Sequence, residues 1–563
     1  QNARLSCNIP DMHLFRTGSG KSDLAGQFKM QALVKGRFKK PDINGVFNLT
    51  NFKYRGAAID SMSGIFHGDK NQLKIDESHF TGKIYDFKKI TSFYQLPKLQ
   101  GIVNYEGTMT GDVINPELSI TAICDSCGTS TYRVDRVKTK ILFHNRAISR
   151  ITATAINNNS PLYIKFQTGT ENPHYVKCVI SPDSLHLNPD KNSGNYILIT
   201  GSYMSPKSAA LNAVIDKFQL RDISKFYRGD DKITGVLNGG GNIQQPLHKP
   251  NISLKMHLDD FRSPDLQFQE IESSLSYHDK RLEIERMSLI HENKTMLISG
   301  IIPVESDATR SSKQLDVSIT STHFPLSSLS KYEQFYTAGR ADANMDIHIF
   351  GNLAHPQING DMHFFLKKLQ NKFSKRTLQS AMINMHVTGK LNQPDFLVDW
   401  QSSDLNWEDF HASSFHGEFS YSDSLIQLDN VTLDLFQNKS RINGSIPAFI
   451  SLVPLRIKSV EKPINIKSKA DKLNLAFFNP IFPKVEHLTG KLNYDFEISG
   501  TFKEPIVFGR VDIDNTEIKL KNVNPPITML NAAIRFSGLH TIIDICHAHI
   551  GDGFLTIRGG SEN

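Results

Sequence analysis

The sequence has few cysteines, almost no tryptophan and no long apolar run, and each shortage excludes a class of protein. Its 563 residues include five cysteines and two tryptophans. So few cysteines cannot hold a chain of this length together as a disulfide scaffold. No window approaches about 18 consecutive apolar residues, so we expect no helix that crosses a bilayer. The chain begins with glutamine and shows no signal peptide, and we interpret it as an excerpt of a longer protein.

Charge of one sign is also scarce. The chain has 64 basic and 57 acidic residues, which leaves a net charge of +7 that is spread thinly. Because no basic cluster stands out, we expect no nucleic-acid partner. A mild attraction to anionic surfaces is compatible with this balance.

The motifs of common enzyme classes are missing as well. We find no G-x-S-x-G, no phosphate-binding P-loop and no H-E-x-x-H. Carboxylate pairs such as Asp259 with Asp260, and Asp512 with Asp514, are expected on water-exposed strand faces or in turns. The sequence therefore predicts a protein that is not an enzyme, with no catalytic residue and no cofactor.

Two short patterns remain open to a metal or redox interpretation. Cys124 and Cys127 form a CxxC, which fits a zinc half-site, a redox pair or a strained disulfide. No second ligand pair follows at finger-like spacing, so we favour a structural or incidental pair. His547 and His549 share one strand face and could form half of a metal site. Without nearby partners in sequence, we favour exposed strand residues and predict no metal.

Strict alternation of apolar and polar residues dominates the chain. This period of two is typical of strands with one apolar and one water-exposed face, whereas helical periodicity is rare and short. At roughly 12 residues per strand and turn, the chain would hold about 45 strands. We expect the alternating apolar residues to line one shared surface: Ile252, Leu254, Met256, Leu258, Met345, Ile347, Ile349, Leu492, Tyr494, Phe496, Ile498, Val511 and Ile513.

A glycine followed five positions later by proline recurs between the alternating runs. The copies are Gly36/Pro41, Gly111/Pro116, Gly201/Pro206, Gly351/Pro356, Gly389/Pro394 and Gly500/Pro505, with a looser copy from Gly241 to Pro250. Glycine tolerates positive φ and proline lacks an amide donor, so the pair suits a connection or bulge between strands and not a strand centre.

A larger unit surrounds this Gly-x4-Pro pattern. A short helix-like piece precedes a strand that begins at Gly101, Gly235, Gly339 or Gly490 and ends at or near the pattern. The interpretation is a degenerate array. Its predicted parts are repeat units at 1–119, 216–322, 323–463 and 464–563, the last truncated at its C-terminal end, with a divergent β segment at 120–215.

The helix–glycine–strand–GxxxxP block and the closing GDGFLTIRGG resemble the AsmA-like superfamily, and within it the translocation and assembly module (TamB) family. The resemblance is best from Ile464 to Gly560 and worst from Cys124 to Pro189. It implies an elongated sheet curled into a U-shaped apolar trough (a β-taco). It also implies a periplasmic protein that an anchor, absent from this chain, tethers to the inner membrane of a diderm bacterium, where it takes part in outer-membrane biogenesis.

Two functions follow from this reasoning. The first is a non-enzymatic conduit that carries phospholipid between inner and outer membrane, its apolar groove holding the acyl chains. The second is a structural or chaperone-like partner of an outer-membrane barrel protein during protein assembly. The residues alone leave open whether the apolar face lines a trough or packs against a second sheet. A polysaccharide-acting β-helix would need tightly spaced rungs, which the sequence lacks.

Overall fold

A computed structural model describes residues 2–12, 25–37, 39–54, 57–69, 71–84, 100–128, 133–144, 147–169, 174–188, 194–205, 208–244, 249–304, 314–329, 336–372, 376–407, 410–435, 438–453, 455–476 and 484–562. The fold is all-β and antiparallel, which confirms the expected class. The chain divides into two compact units, Gln1–Arg262 with Tyr277–Asp279, and Ser263–Ser276 with Lys280–Asn563. The repeat boundaries stay a prediction.

The first unit holds strands of 7 to 15 residues in its described part. They are β1 (Asn2–Ile9), β2 (Ala25–Arg37), β3 (Lys40–Tyr54), β4 (Ala57–Gly68), β5 (Leu73–Ile84), β6 (Gln100–Asp112), β7 (Pro116–Gly128), β8 (Arg133–His144), β9 (Ala147–Asn157), β10 (Ser160–Thr168), β11 (Tyr175–Ser181), β12 (Tyr196–Ser205), β13 (Ser208–Gln219), β14 (Thr234–Gln244) and β15 (Asn251–Arg262). A 3-10 turn, η1 (Ser184–Leu187), and a helix, α1 (Leu220–Arg228), complete it.

The second unit holds longer strands, up to 17 residues, and the last two residues of its first strand, Tyr277 and His278, group with the first unit. They are β16 (Gln267–His278), β17 (Arg281–His291), β18 (Lys294–Pro303), β19 (Leu315–Pro325), β20 (Tyr336–Asn352), β21 (His355–Asn371), β22 (Thr377–Lys390), β23 (Gln393–Trp407), β24 (Phe410–Ser422), β25 (Leu425–Leu435), β26 (Asn438–Leu452), β27 (Leu455–Ser459), β28 (Asn465–Asn474), β29 (Val485–Gly500), β30 (Pro505–Leu520), β31 (Ile527–Gly538), β32 (His540–Ile550) and β33 (Gly553–Glu562). A 3-10 turn, η2 (Leu326–Ser328), follows β19.

Strand length explains why the described chain holds 33 strands and not the roughly 45 expected from short hairpins. Most strands pair with their neighbours in sequence, which gives a meander in each unit. In the second unit β26 pairs with β25, with β28 and, through its last residues, with β27. No helix within the described ranges is long and apolar enough to span a membrane.

The Gly-x4-Pro pattern is a hairpin turn in five of its six strict copies. In each, the glycine faces the proline across the strand pair and has φ between 85° and 94°: Gly36/Pro41, Gly111/Pro116, Gly351/Pro356, Gly389/Pro394 and Gly500/Pro505. In the sixth copy Gly201 lies within β12 opposite Leu211, and Pro206 lies outside the described residues. The looser copy that begins at Gly241 reaches 245–248, outside the described residues.

The glycines that lead the repeat strands lie at β-bulges. Each of these glycines has a positive φ and no partner residue in the strand pairing: Gly101, Gly235, Gly339 and Gly490. Gly26 on β2, which the sequence analysis did not single out, has the same geometry. The partner strand carries a left-handed residue at the same level: Asn51, Ser126, Asp260, Lys368 and Asn515. Because only glycine adopts such a backbone without strain, the bulge explains why glycine recurs there.

Two of the four predicted helical pieces contain a helix or a 3-10 turn in the structure. DKFQLRDISKFY contains helix α1, which ends at Gly229 in a left-handed cap, and HFPLSSLS contains the short turn η2. The pieces at 85–99 and 477–483 lie outside the described residues. Before these connections the chain is anchored by a fully buried side chain, Phe218, Phe324 or Leu473, each exposed by 2% or less.

The backbone takes the same conformation just before each of these three buried side chains. The residue before each is left-handed, and its amide donates to an asparagine Oδ1 on a nearby strand at 2.6–2.9 Å. The pairs are Lys217 with Asn238, His323 with Asn344, and Lys472 with Asn493. Each pair is 21 positions apart, so this turn is a structural repeat that the sequence analysis missed.

Candidate functional site on the apolar face

Antiparallel pairing places the alternating apolar residues of neighbouring strands side by side on one face, which we call the apolar face of each unit. In the first unit one cross-strand row contains no polar residue over its fifteen strands. The row runs through Ile9, Phe28, Leu49, Met62, Phe80, Gly107, Ile120, Ile141, Ile151, Phe166, Cys178, Ile199, Ala213, Gly241 and Leu254.

The predicted residues of β15 lie on this face. Leu254 ends the row, and its companions Ile252, Met256 and Leu258 occupy the same side of the strand. All four are half-buried. They face Ile243, Gly241, Gly239 and Leu237 of β14. Since glycines stand opposite two of them, the apolar side chains have room above the neighbouring strand.

The second unit has an equivalent row. It runs from β20 to β30, with β27 outside it, through Met345, Met362, Met385, Val398, Phe419, Leu428, Gly444, Ile466, Ile498 and Val507. The structure thus brings the predicted residues Met345 and Ile498, 153 positions apart in sequence, onto one face of one unit.

On β20 the predicted residues belong to a packed cluster. Ile347 is only 9% exposed and lies with Ile358 and Val387, while Met345 and Ile349 pack around them. The cluster is covered on one side by the end of β26. Its last residue, Leu452, packs there and donates its amide to the Leu391 carbonyl at 2.8 Å. At this place the apolar face is closed by the chain itself.

On β29 and β30 the predicted residues remain half-buried. Leu492, Tyr494, Phe496 and Ile498 stand opposite Ile513, Val511, Gly509 and Val507. The rings of Tyr494 and Phe496 stack at 5.2 Å, and Phe496 meets Phe536 of β31 edge to face at 5.7 Å. The Tyr494 hydroxyl hydrogen-bonds with Ser440 and Ser468, so its polar end is satisfied.

Sequence reasoning missed a set of aromatic residues on the apolar face of the first unit. A Cβ added to Gly45 would lie 2.5 Å from the Phe66 ring, one at Gly64 2.8 Å from Phe47, and one at Gly107 2.5 Å from Phe80. Tyr105 covers Gly82 in the same way. Alternation places these aromatic residues and glycines on the same face, but which aromatic residue covers which glycine depends on the register of the strands.

The opposite face is polar and carries cross-strand ion pairs. Histidine–carboxylate pairs are frequent, such as His348 with Asp316 at 2.9 Å and His386 with Asp361 at 2.7 Å. Arg535 bonds Asp544 at 2.6 Å and holds the pKa of that carboxyl below its usual value. Each strand therefore separates an apolar surface from a charged one.

The cysteine and histidine patterns are now placed. Cys124 and Cys127 form a disulfide across the bulge at Gly101, which agrees with a structural pair. The corresponding positions beside the bulges at Gly235 and Gly339 are the apolar pairs Leu258/Phe261 and Leu366/Leu369. His547 and His549 lie with their rings 5.5 Å apart. In the described part of the chain they join no third metal-ligating side chain.

The predicted carboxylate pairs take part in ordinary surface interactions. Asp259 lies 2.9 Å from His257, and Asp260 is the left-handed residue opposite Gly235. Asp512 pairs with Arg510 at 2.8 Å. These contacts account for the carboxylates without a shared catalytic geometry. No protein-family model matches this chain, and no curated protein matches it at a significant level.

Proposed function

We propose that the protein is a non-enzymatic lipid conduit whose apolar faces hold phospholipid acyl chains. The observation that carries the proposal is the cross-strand row without a polar residue, which spans fifteen strands in the first unit. An acyl chain laid along such a row meets apolar side chains, including the sulfur atoms of Met62 and Cys178, and glycine. Each methylene removed from water contributes about 0.8 kcal/mol.

The exposure of the row favours a ligand surface over a closed core. In a sandwich of two sheets, residues of the inner face are buried by the facing sheet. The apolar residues of β15, β29 and β30 named above are instead all half-buried. A curled sheet with its apolar face inward would give this intermediate exposure and leave a groove, which is the U-shaped trough that the AsmA-like resemblance implies.

Many similar positions along the row also suit transport. A carrier must bind a lipid without trapping it, so neighbouring sites need nearly equal affinity. The row offers aliphatic side chains interrupted by glycine and alanine, with no charge that would hold a lipid at one strand. A phospholipid is the proposed cargo, transferred between inner and outer membrane.

The test is lipid binding and transfer by a matched pair of variants on β29. Phe496→Asp places a charge on the apolar face, whereas Glu497→Asn changes the next residue, which points to the polar face. Mass spectrometry of the purified protein should recover phospholipid from wild type and Glu497→Asn, and much less from Phe496→Asp. Transfer of a fluorescent phospholipid between vesicles should fall in the same order.

Two results would contradict the conduit. One is the absence of co-purified phospholipid from the wild type. The other is unaltered transfer by Phe496→Asp when circular dichroism shows that the variant is folded. A variant at the packed cluster, Ile347→Asp, is less suitable because it also disrupts a core.

A second function, as a structural or chaperone-like partner of an outer-membrane barrel protein, is favoured by the strand β33. Its residues 553–561 are exposed, Phe554 by 75%, and within the described chain β33 pairs with β32 alone. A sheet edge can template an incoming strand. Thr556→Pro should then abolish assembly activity and leave lipid binding intact, whereas a conduit alone predicts unchanged assembly.

The proposed location is the periplasm, with a tether to the inner membrane outside this chain. The disulfide between Cys124 and Cys127 supports an oxidising compartment, because such bonds are rare in the cytosol. Titration of free thiols in protein isolated under alkylating conditions tests this. Labelling of both cysteines in protein from cells would contradict an oxidising location.

A further inference from the structure

A cleft of about 820 Å³ lies in the second unit, and most of its lining residues belong to the polar face, with Leu366, Ala381 and Ser402 of the apolar face also among them. Its floor is formed where β20 to β23 run side by side, along the cross-strand row Asp342, Phe365, Met382 and Gln401. Two of these four residues are apolar on a face that is otherwise charged. The volume lies in the range of small-molecule sites, roughly 300–1,000 Å³.

The rim of the cleft is basic. Among the described residues that line it, four are basic (Lys294, His323, Arg340 and Lys367) and Asp342 is the single carboxylate. Within the described residues, neither lysine has a carboxylate partner, and the Arg340 Nε binds Asp342 at 2.6 Å. The His323 ring lies 5.1 Å from the Phe365 ring. Two unpaired ammonium groups over an apolar floor favour an anionic ligand with an organic portion.

Asp342 supplies a second, independent feature. Its side chain is only 8% exposed, and one oxygen accepts from Arg340. The other oxygen, Oδ1, is buried and has no hydrogen-bond partner among the described residues. A buried carboxylate oxygen without a donor is costly, so a ligand that draws the Asp342 side chain toward the cleft and supplies a donor to this oxygen would be favoured.

We propose that this cleft binds a small organic phosphate that also carries an ammonium group, of the phosphoethanolamine type. The phosphate is held by Lys294 and Lys367, and the ammonium donates to Asp342 Oδ1. The short carbon chain that joins the phosphate to the ammonium group lies over Phe365 and Met382. Free phosphoethanolamine and a phosphatidylethanolamine head group share this chemistry.

The experiment is calorimetric titration of the whole chain with O-phosphoethanolamine, and with ethyl phosphate, which keeps the phosphate and lacks the ammonium. We expect saturable one-site binding of phosphoethanolamine and binding of ethyl phosphate at least about tenfold weaker, since a charged hydrogen bond to Asp342 is lost. Lys367→Gln should weaken phosphoethanolamine binding by about tenfold or more.

The matched control is Lys390→Gln. Lys390 lies on β22, on the same face as Met382 but at the far end of the strand, and it is exposed and does not line the cleft. Its replacement should change affinity less than twofold. No saturable binding of phosphoethanolamine, equal affinity for ethyl phosphate, or equal loss in both lysine variants would each overturn the proposal.

Vesicles distinguish the source of the ligand. Flotation with phosphatidylethanolamine vesicles but not with phosphatidylcholine vesicles, whose quaternary ammonium has no N–H donor, supports the lipid head group. Binding of free phosphoethanolamine without flotation supports a soluble ligand. Because Phe496 lies on the apolar face, Phe496→Asp should bind phosphoethanolamine like the wild type, so this proposal and the lipid conduit can fail separately.

Discussion

The glycine bulges provide the sharpest stability prediction, and Gly490 is the best place to test it. Its φ is +134°, and a Cβ built on it would lie 2.7 Å from the Thr516 Cα and 2.0 Å from its Oγ1. Gly490→Ala therefore combines a backbone strain of about 1–3 kcal/mol with an overpacking cost of about 1–3 kcal/mol. We expect β29 and β30 to lose about 2–6 kcal/mol of local stability.

The matched control is Gly559→Ala on β33. Gly559 also has a positive φ, +155°, but its Cβ would have no atom within 4 Å. Only the backbone term remains, so the two variants should differ by the packing term, about 1–3 kcal/mol. In hydrogen exchange this difference corresponds to roughly a 5- to 150-fold change in the exchange rate.

The assay is hydrogen exchange with mass spectrometry on the folded chain, because long repeat arrays do not unfold in a single step. Peptides from 485–500 and 505–520 report on Gly490→Ala, and peptides from 553–562 report on Gly559→Ala. If Gly490→Ala left exchange in β29 and β30 at the wild-type rate, the close approach of the two strands at this bulge would be wrong. A larger effect from Gly559→Ala would equally refute the reasoning.

Three further predictions follow from single contacts. Phe324→Ala, at a side chain only 1% exposed, should destabilise β19 and β20 by about 3–5 kcal/mol in hydrogen exchange, whereas Phe502→Ala, at 55% exposure, should change local stability by no more than about 0.5 kcal/mol. Reduction of the Cys124–Cys127 disulfide, which closes a loop of only a few residues, should cost at most about 2 kcal/mol of local stability, measured by hydrogen exchange in β6 and β7 with and without reductant. The pKa of Asp544 is lowered in the folded state, so its contribution is present above the ordinary aspartate pKa and is lost as the pH falls through the folded value. Asp544→Asn should therefore flatten the loss of stability in acid, and an unchanged acid transition would contradict this.

The alternation was sufficient to predict the all-β fold class and which side chains share one side of their own strand. Tyr494 and Phe496 alternate in sequence with polar residues. Because successive side chains of a strand point to opposite faces, both rings lie on the same side once the strand forms. The turn at Gly500/Pro505 was equally accessible, because glycine and proline restrict the backbone locally. Gly201 begins the same Gly-x4-Pro pattern but lies inside strand β12, where it pairs with Val176 of β11 and Leu211 of β13.

The candidate site depends on register, which a single sequence does not contain. Met345 and Ile498 share one row only because each intervening strand pairs at one particular offset. The bulge at Gly490 shifts that offset, and its left-handed partner Asn515 gives no recognisable signal in sequence. Among the predicted helical pieces that the structure describes, the one after Phe218 forms α1 and the one after Phe324 forms only the short turn η2.

What the sequence determined by itself is local: which residues form strands, which face each side chain takes and where the tight turns fall. These follow from backbone sterics and from the period of two. The tertiary structure alone decided that β26 covers the cluster around Ile347 and that Asp342 and Lys367 line one cleft. The first arrangement joins strands that are not consecutive in the chain, and the second joins positions on several strands. Both arise from hydrogen-bond pairing and burial across the sheet, and not from any local preference.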